Sequence, residues 1–188
     1  MPRLFVALAL PDAVRTRLSF LRGGLPGARW IDPENFHITL RFIGDVDGDV
    51  AEDAAAALTR VDAEPFPLTL TGLGSFGHGR PHSIWAGVDP STPLVALQDS
   101  IERTLQHAGL APDPRKFTPH VTLARLRGVR PDEVARYLEE QGGVDGGTVH
   151  VSRFVLFSSR DSRGGGPYIP EVTYPLPNPY PDPFSNEE

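Results

Sequence analysis

The sequence predicts an α+β fold: a bilobal, duplicated βα unit with antiparallel-type sheets around a central cleft. Three observations predict it. Two stretches, Phe36-His37-Ile38-Thr39-Leu40 and Pro119-His120-Val121-Thr122-Leu123, say nearly the same thing. Each follows a helix and a loop and leads into another helix, and the two lie about half the folded chain apart. Strands and helices mix without the strict alternation of a parallel α/β sheet.

The elements can be justified in chain order. Arg3 to Leu10 is apolar on both faces and reads as a central strand. Pro11-Asp12 opens a helix, with Pro near its start and an acid in its first turn. Val14, Leu18 and Leu21 recur in it at helical spacing, and Gly23-Gly24 ends it. Arg29 to Ile31 is a short strand, and Asp32 to Asn35 a turn. Phe36 to Ile43 is the first motif strand. Asp47 to Arg60 is an Ala-rich helix. Phe66 to Leu73 alternates as a strand, after which Gly72, Gly74, Gly77, Gly79 and Pro81 predict a flexible loop. Ser83 to Val88 is a strand containing Trp85. The next helix is capped within Asp89 to Thr92, and its Leu94, Leu97, Ile101, Leu105 and Ala108 make one apolar face, with Gly109 past its end. A Pro-rich turn and Lys116-Phe117-Thr118 lead into the second motif strand. Val129 to Glu140 is a helix closed by Gly142-Gly143. Thr148 to Ser158 reads as one long strand, Arg160 to Pro167 as a Gly-rich loop, and Tyr168 to Leu176 as an edge strand, because Pro170 interrupts it. Residues 1–176 thus form one domain. Residues 177–188, in the alternate-Pro run, form an extended or disordered tail.

The 188 residues suffice for a buried core. Hydrophobic residues at 39% and charged residues at 22% are ordinary for a globular protein. There is no Cys, which excludes disulfides, thiolate metal sites and cysteine nucleophiles. A disulfide-free chain without a signal-peptide pattern or an apolar run of about 18 residues suits the cytoplasm and no membrane. Nothing predicts oligomerisation, and a monomer is expected. At a net charge of −6 bulk attraction to nucleic acid is not expected, so any nucleic-acid partner would be held by a local patch. One candidate runs from Pro114 to Pro131, where Arg115, Lys116, Arg125, Arg127 and Arg130 stand without an acid among them. The alternative for this run is a solvated face.

The chemistry lies in the repeated motif. Ile and Val favour strands, and strand residues two apart share a face. His37 and Thr39 therefore share one face, as do His120 and Thr122, while Ile38, Leu40, Val121 and Leu123 point into a core. A single His-x-Thr in a strand is usually a half-buried surface pair; two copies agreeing at His, Thr and Leu argue for a site. Two imidazoles without a third ligand make a poor metal site. No phosphate-binding Gly-rich loop with Lys-Ser/Thr is present, nor a Gly-x-Ser-x-Gly elbow. What remains is an acid–base pair suited to phosphodiester chemistry, since imidazoles titrate near 6.5. The Thr39 and Thr122 hydroxyls can donate to non-bridging oxygens, and Arg125 can add a cation. No metal and no cofactor are called for. His78 and His82 read as plain surface, with a flexible loop near the cleft as the alternative, His107 as a helix-end cation, and His150 as core or surface. Trp30, Phe76 and Trp85 can stack a nucleobase, although core packing is their ordinary role.

With these residues in view, the chain resembles the RNA 2',3'-cyclic phosphodiesterases, historically named 2'-5' RNA ligases, of the two-histidine phosphoesterase superfamily. Their hallmark is a pair of His-x-Thr-x motifs, carried here by His37 to Leu40 and His120 to Leu123. Arg3 to Leu8, Asn35 to Gly44, Phe117 to Arg125, Ser158-Ser159-Arg160, the Gly run and Tyr168 are similar to the family as well. The resemblance implies a cleft holding both motifs, and hydrolysis of a terminal 2',3'-cyclic phosphate of RNA or a nucleotide to a 2'-phosphate without a metal. It implies His37 as proton donor and His120 as proton acceptor; the motifs themselves are near-symmetric and leave the roles open. Reversible 2'-5' joining is the same chemistry run backwards. The rival from another class is a non-catalytic module that holds a nucleotide or RNA end in this cleft.

Overall fold

A computed structural model describes residues 2–143, 147–159 and 166–177. Nine strands and four helices are present among them: β1 (Arg3–Ala9), α1 (Asp12–Ser19), β2 (Ala28–Trp30), β3 (His37–Asp45), α2 (Gly48–Leu58), β4 (Phe66–Phe76), β5 (Ser83–Val88), α3 (Thr92–His107), β6 (His120–Leu126), α4 (Pro131–Glu140), β7 (Thr148–Val151), β8 (Arg153–Ser158) and β9 (Ile169–Pro175). The strands form one antiparallel path, β7-β4-β5-β6-β3-β1-β8-β9, with β2 added beside β6. The α+β class and the antiparallel pairing are as the sequence predicts.

The path has a two-fold logic. From its centre, β6-β5-β4-β7 runs one way and β3-β1-β8-β9 the other. Each half carries one motif strand at the centre. The halves meet at one bridging pair, Ile38 opposite Val121. Ile38 and Val121 are fully buried, and Leu40 and Leu123 nearly so. They join one core cluster with Val14 and Leu18 of α1, Leu58 of α2, Leu94, Leu97, Ile101 and Leu105 of α3, and Val134 and Tyr137 of α4. Burying each such aliphatic side chain stabilises the fold by about 1.5–3 kcal/mol. Central β1 and edge β9 also stand where their composition puts them.

Two elements differ from the expectation. β4 does not stop at Leu73 but continues through the glycines to Phe76. The reason is a close approach: a Cβ on Gly74 would lie 2.2 Å from the Trp85 ring, so glycine is what lets the indole cross the neighbouring strand. The loop is thus only the hairpin tip after Phe76, where Gly77 turns at φ +90°. The expected long strand from Thr148 breaks at Ser152. Its first part pairs with β4 in one half and its second with β1 and β9 in the other, so one segment serves both ends of the sheet. Arg160 and most of the Gly-rich loop, like residues 178–188 of the tail, lie outside the described residues. No helix among the described residues is long and apolar enough to cross a membrane.

Candidate active site

The register around Ile38 and Val121 assembles the site. Carried one residue each way, that antiparallel pair sets His37 opposite Thr122 and Thr39 opposite His120. The two imidazoles and two hydroxyls therefore flank that bridge on the face away from the core. All four line one cleft of about 800 Å³.

Each motif strand carries a bulge at its Leu. Against β1, Thr39 faces Ala7 but Arg41 faces Val6; against β5, Thr122 faces Trp85 but Ala124 faces Ile84. One extra residue shifts the alternation, so two buried residues follow one another in each strand. The residue five past each His then turns outward to the cleft, Phe42 in one half and Arg125 in the other. This places Arg125 where the sequence reading wanted a cation.

The histidines are held alike at one nitrogen and differently at the other. His37 Nδ1 donates to the Asn35 carbonyl at 2.8 Å, and His120 Nδ1 donates to the Thr118 carbonyl at 2.6 Å. Both neutral rings thus leave Nε2 as acceptor toward the cleft. His37 Nε2 accepts from the Thr39 hydroxyl at 3.0 Å, while His120 Nε2 has no such bond among the described residues. The His37 ring is walled by Phe5 at 4.9 Å, by Tyr168 edge-on at 5.0 Å, and more loosely by Phe157 at 6.4 Å. The Tyr168 N–H reaches the Asn35 side chain at 3.4 Å, which ties that wall to the residue that orients His37. His120 meets Phe76 edge-on at 4.9 Å and Trp85 at 6.4 Å.

Electrostatics separates the two further. Burial pushes the His37 imidazole down to about 4, against the Asn35 hydrogen bond, and repulsion from His120 and Arg125 adds to the fall. Burial also lowers His120, against the Thr118 hydrogen bond. The same repulsion indicates that His37, His120 and Arg125 share one space. Among the described residues no three His, Cys, Asp or Glu side chains cluster as a metal would need.

The basic run from Arg115 to Arg130 does not act as one patch. Arg115, Lys116 and Arg125 line the cleft. Arg115 is bound at 3.1 Å by Asp113 and lies 5.7 Å over the Phe42 ring. Arg130 turns away to Asp132 and Glu133 at the start of α4. The acids that divide the run stand just outside it. Of the aromatic candidates, Trp30 packs on Tyr137, whereas Phe76 and Trp85 surround His120. His82, read from sequence as surface, is exposed but stacks on Phe76 at the cleft. His78 is exposed, His107 ends α3, and His150 is exposed on β7.

Sequence reasoning missed one brace altogether. Arg41 is 6% exposed, and its guanidinium binds Glu102 of α3 at 2.5 Å and the Ala111 carbonyl at 2.5 Å. Glu102 also accepts from the Asp113 N–H at 3.0 Å. Burial alone would raise the Glu102 carboxyl, but Arg41, Asp113 and Gln106 together hold it below its ordinary range. The brace ties the first motif strand to the loop that ends in Thr118, the residue orienting His120. Its partners are far apart in sequence, so no local pattern marks it.

Residues 10–163 match the family model of the 2'-5' RNA ligase superfamily. An RNA 2',3'-cyclic phosphodiesterase of Aeropyrum pernix is 40% identical over 157 residues, 82% of this chain and 89% of the relative. One of Archaeoglobus fulgidus is 31% identical over 161 residues, 84% of this chain and 90% of the relative. Among solved structures, E. coli LigT complexed with 3'-AMP superposes with a TM-score of 0.75 at 26% identity, covering 94% of this chain and 99% of that one.

Proposed function

This chain belongs to the 2'-5' RNA ligase superfamily and is an RNA 2',3'-cyclic phosphodiesterase; we propose that its chemistry runs through His37 and His120 as follows. The observation that carries the reading is the paired motif strands, which bring two imidazoles and two hydroxyls to one cleft. A terminal cyclic phosphate of an RNA or a nucleotide lies between them. His120 Nε2 takes a proton from water as its oxygen attacks phosphorus. The bond to O3' breaks, and His37 gives O3' its proton, leaving a 2'-phosphate. The Thr39 and Thr122 hydroxyls donate to the non-bridging oxygens, where charge builds, and Arg125 offsets that charge. In the free protein His37 is neutral at pH 7, since it titrates at about 4. Burial is the main cause of that fall, and an anionic phosphate beside the ring opposes it by direct attraction for the charged form, so His37 gains its proton together with the substrate.

RNA is thus the substrate class, and LigT, a structural neighbour, has been solved with a nucleoside phosphate, 3'-AMP. A cytoplasmic monomer, folded over residues 1–176, suits this role. The binding-module alternative finds no support among relatives named as phosphodiesterases. The test is incubation with an oligoribonucleotide ending in a 2',3'-cyclic phosphate, in EDTA, with the product ends mapped. Conversion to a 2'-phosphate at an undiminished rate is expected. A 3'-phosphate product, loss of activity in EDTA, or retention without turnover would each overturn the mechanism.

A further inference from the structure

We propose that Arg41 and Glu102 are positioning residues for the base: through the loop of residues 111–119 they fix the Thr118 carbonyl, and with it the ring orientation and tautomer of His120. The proposal rests on the role of base given to His120 above.

The two histidines depend on carbonyls that are held in different ways. The Asn35 carbonyl, which takes the His37 Nδ1–H, ends a short 3-10 turn, Pro33–Asn35. That turn is closed by its own backbone, with the Asn35 N–H on the Asp32 carbonyl at 2.8 Å and the Phe36 N–H on the Pro33 carbonyl at 3.1 Å. The Thr118 carbonyl, which takes the His120 Nδ1–H, has no such support, because residues 111–119 belong to no helix, strand or hydrogen-bonded turn. This loop is anchored near its two ends instead. At one end the Pro119 carbonyl accepts the Val88 N–H of β5 at 3.3 Å. At the other, Arg41 Nη2 donates to the Ala111 carbonyl at 2.5 Å, and Glu102 accepts the Asp113 N–H at 3.0 Å. Pro112, Pro114 and Pro119 each lock one backbone torsion in between. A tether stiffened in this way carries the placement of Ala111 and Asp113 on to Thr118.

Three further observations give the pair a geometric task. The motif strands meet at the single bridge of Ile38 and Val121, and both bulge just beyond it. One bridge leaves the tilt of one strand against the other weakly specified. Arg41 follows that bridge on the strand of His37, so its bond to Ala111 supplies a second fixed point on the approach to His120. The Arg41 and Glu102 side chains are also only 6% and 15% exposed. Replacing a buried ion pair by apolar side chains is often neutral or stabilising, so stability alone does not call for this one. What it brings is direction. With Nε on Glu102 at 2.5 Å, the planar guanidinium aims Nη1 at the Phe42 carbonyl at 2.8 Å and Nη2 at Ala111. Finally, the place four residues past the other histidine holds Ala124, which is fully buried and offers no donor side chain. The histidine whose carbonyl has its own turn needs no brace, and the one whose carbonyl lacks a turn has it.

The test compares the full-chain protein with three variants. Arg41→Met with Glu102→Leu fills the space without the brace. Arg41→Lys keeps the charge, but one ammonium cannot span both Glu102 and the Ala111 carbonyl. Glu102→Gln keeps an acceptor for Arg41 and for the Asp113 N–H. Turnover of an oligoribonucleotide ending in a 2',3'-cyclic phosphate gives kcat and KM. Proton–nitrogen NMR correlations of isotope-labelled histidine rings, at a pH where the rings are neutral, give the tautomers. In the parent both motif rings should carry their proton on Nδ1. In the double variant and in Arg41→Lys, His120 should exchange between tautomers while His37 keeps its Nδ1–H. Their kcat should fall about ten- to a hundred-fold at little-changed KM, the cost of a misplacement of about 1 Å. Glu102→Gln should keep the parent tautomer and most of the parent kcat. If the double variant does not fold, Arg41→Lys decides. An unchanged His120 ring, an unchanged kcat, or a rise in KM alone would overturn the brace. A parent that turns over nothing overturns the proposed function, while the ring signals still decide whether Arg41 and Glu102 fix His120.

Discussion

The half around His37 and the half around His120 share a central motif strand, its bulge and its backbone anchor, yet they differ in closure. The His37 half is the more closely walled: three rings pack round the imidazole, Thr39 occupies its Nε2, and burial pushes it to about 4. The His120 half has an exposed stacked wall and an unoccupied Nε2 among the described residues. A duplicated scaffold can thus supply two like groups and tune them apart through the residues that pack on each. The tuning matters because an acid and a base must differ when the substrate arrives.

The strongest way to break the comparison is to remove each imidazole. His37→Ala and His120→Ala should each lower turnover by about 10²–10⁴-fold, the usual worth of a positioned acid or base. The double variant should fall far short of the product of the two, because groups acting as a unit are not additive. Rate against pH should be bell-shaped in the parent and lose one limb in each single variant. A folded single variant with full activity on a cyclic end would end the two-histidine mechanism.

The hydroxyls sharpen it. Thr39→Val and Thr122→Val keep the strand propensity and shape but remove the donor. Each should lower turnover by up to about 10²–10³-fold, the loss found when one oxyanion donor is removed. The halves should differ: Thr39→Val also frees His37 Nε2 and should shift the pH profile, while Thr122→Val should lower its height alone. Equal profiles would mean that the Thr39 bond plays no part in tuning His37.

Stability against acid separates the halves without any substrate. The folded His37 titrates at about 4, below the unfolded value near 6.5. As pH falls, the unfolded chain therefore binds the proton first. The stability contributed by a neutral His37 is complete above pH 6.5 and is lost progressively down to about pH 4. The loss is at most about 3.5 kcal/mol, from about 1.4 kcal/mol for each pKa unit. Urea unfolding at pH 7 and pH 4.5 should show His37→Asn flattening this acid loss more than His120→Asn.

Much of this was legible because the motif does two jobs in one strand. Ile38 and Val121 bury while His37 and His120 face away, so alternation alone put the chemistry on one face. The α3 face was equally plain from Leu94 to Leu105. What escaped depends on contacts between distant residues. The glycine that extends β4 is explained by Trp85 on the next strand. Arg41, a charge on a strand, is buried because Glu102 of another element meets it. The break at Ser152 follows from which edges the chain must reach. His82 looked like surface because its partner Phe76 is visible only once the hairpin closes. The basic run was read as one patch because Asp113, Asp132 and Glu133 fall just outside its bounds.

The smallest expected effect tests the bulges. They turn the fifth residue after each histidine toward the cleft, and the halves fill that place differently, with Phe42 in one and Arg125 in the other. Only Arg125 brings charge directly. On the Phe42 side the charge comes from Arg115, which sits over the ring and is already bound by Asp113. A cation committed to a carboxylate in an exposed pair has less to give a phosphate. Arg125→Ala should therefore weaken kcat/KM about ten- to a hundred-fold, from the roughly 1.5–3 kcal/mol usual for a hydrogen bond to a charged group. Arg115→Ala should do less, and Arg130→Ala, outside the cleft, should do nothing measurable. Phosphate contacts release counterions, so parent activity below saturation should fall as salt rises, and the slope should be shallower in Arg125→Ala than in Arg130→Ala. If Arg115→Ala proves the more damaging, the phosphate lies nearer Phe42 than Arg125, and the halves differ in charge the other way round.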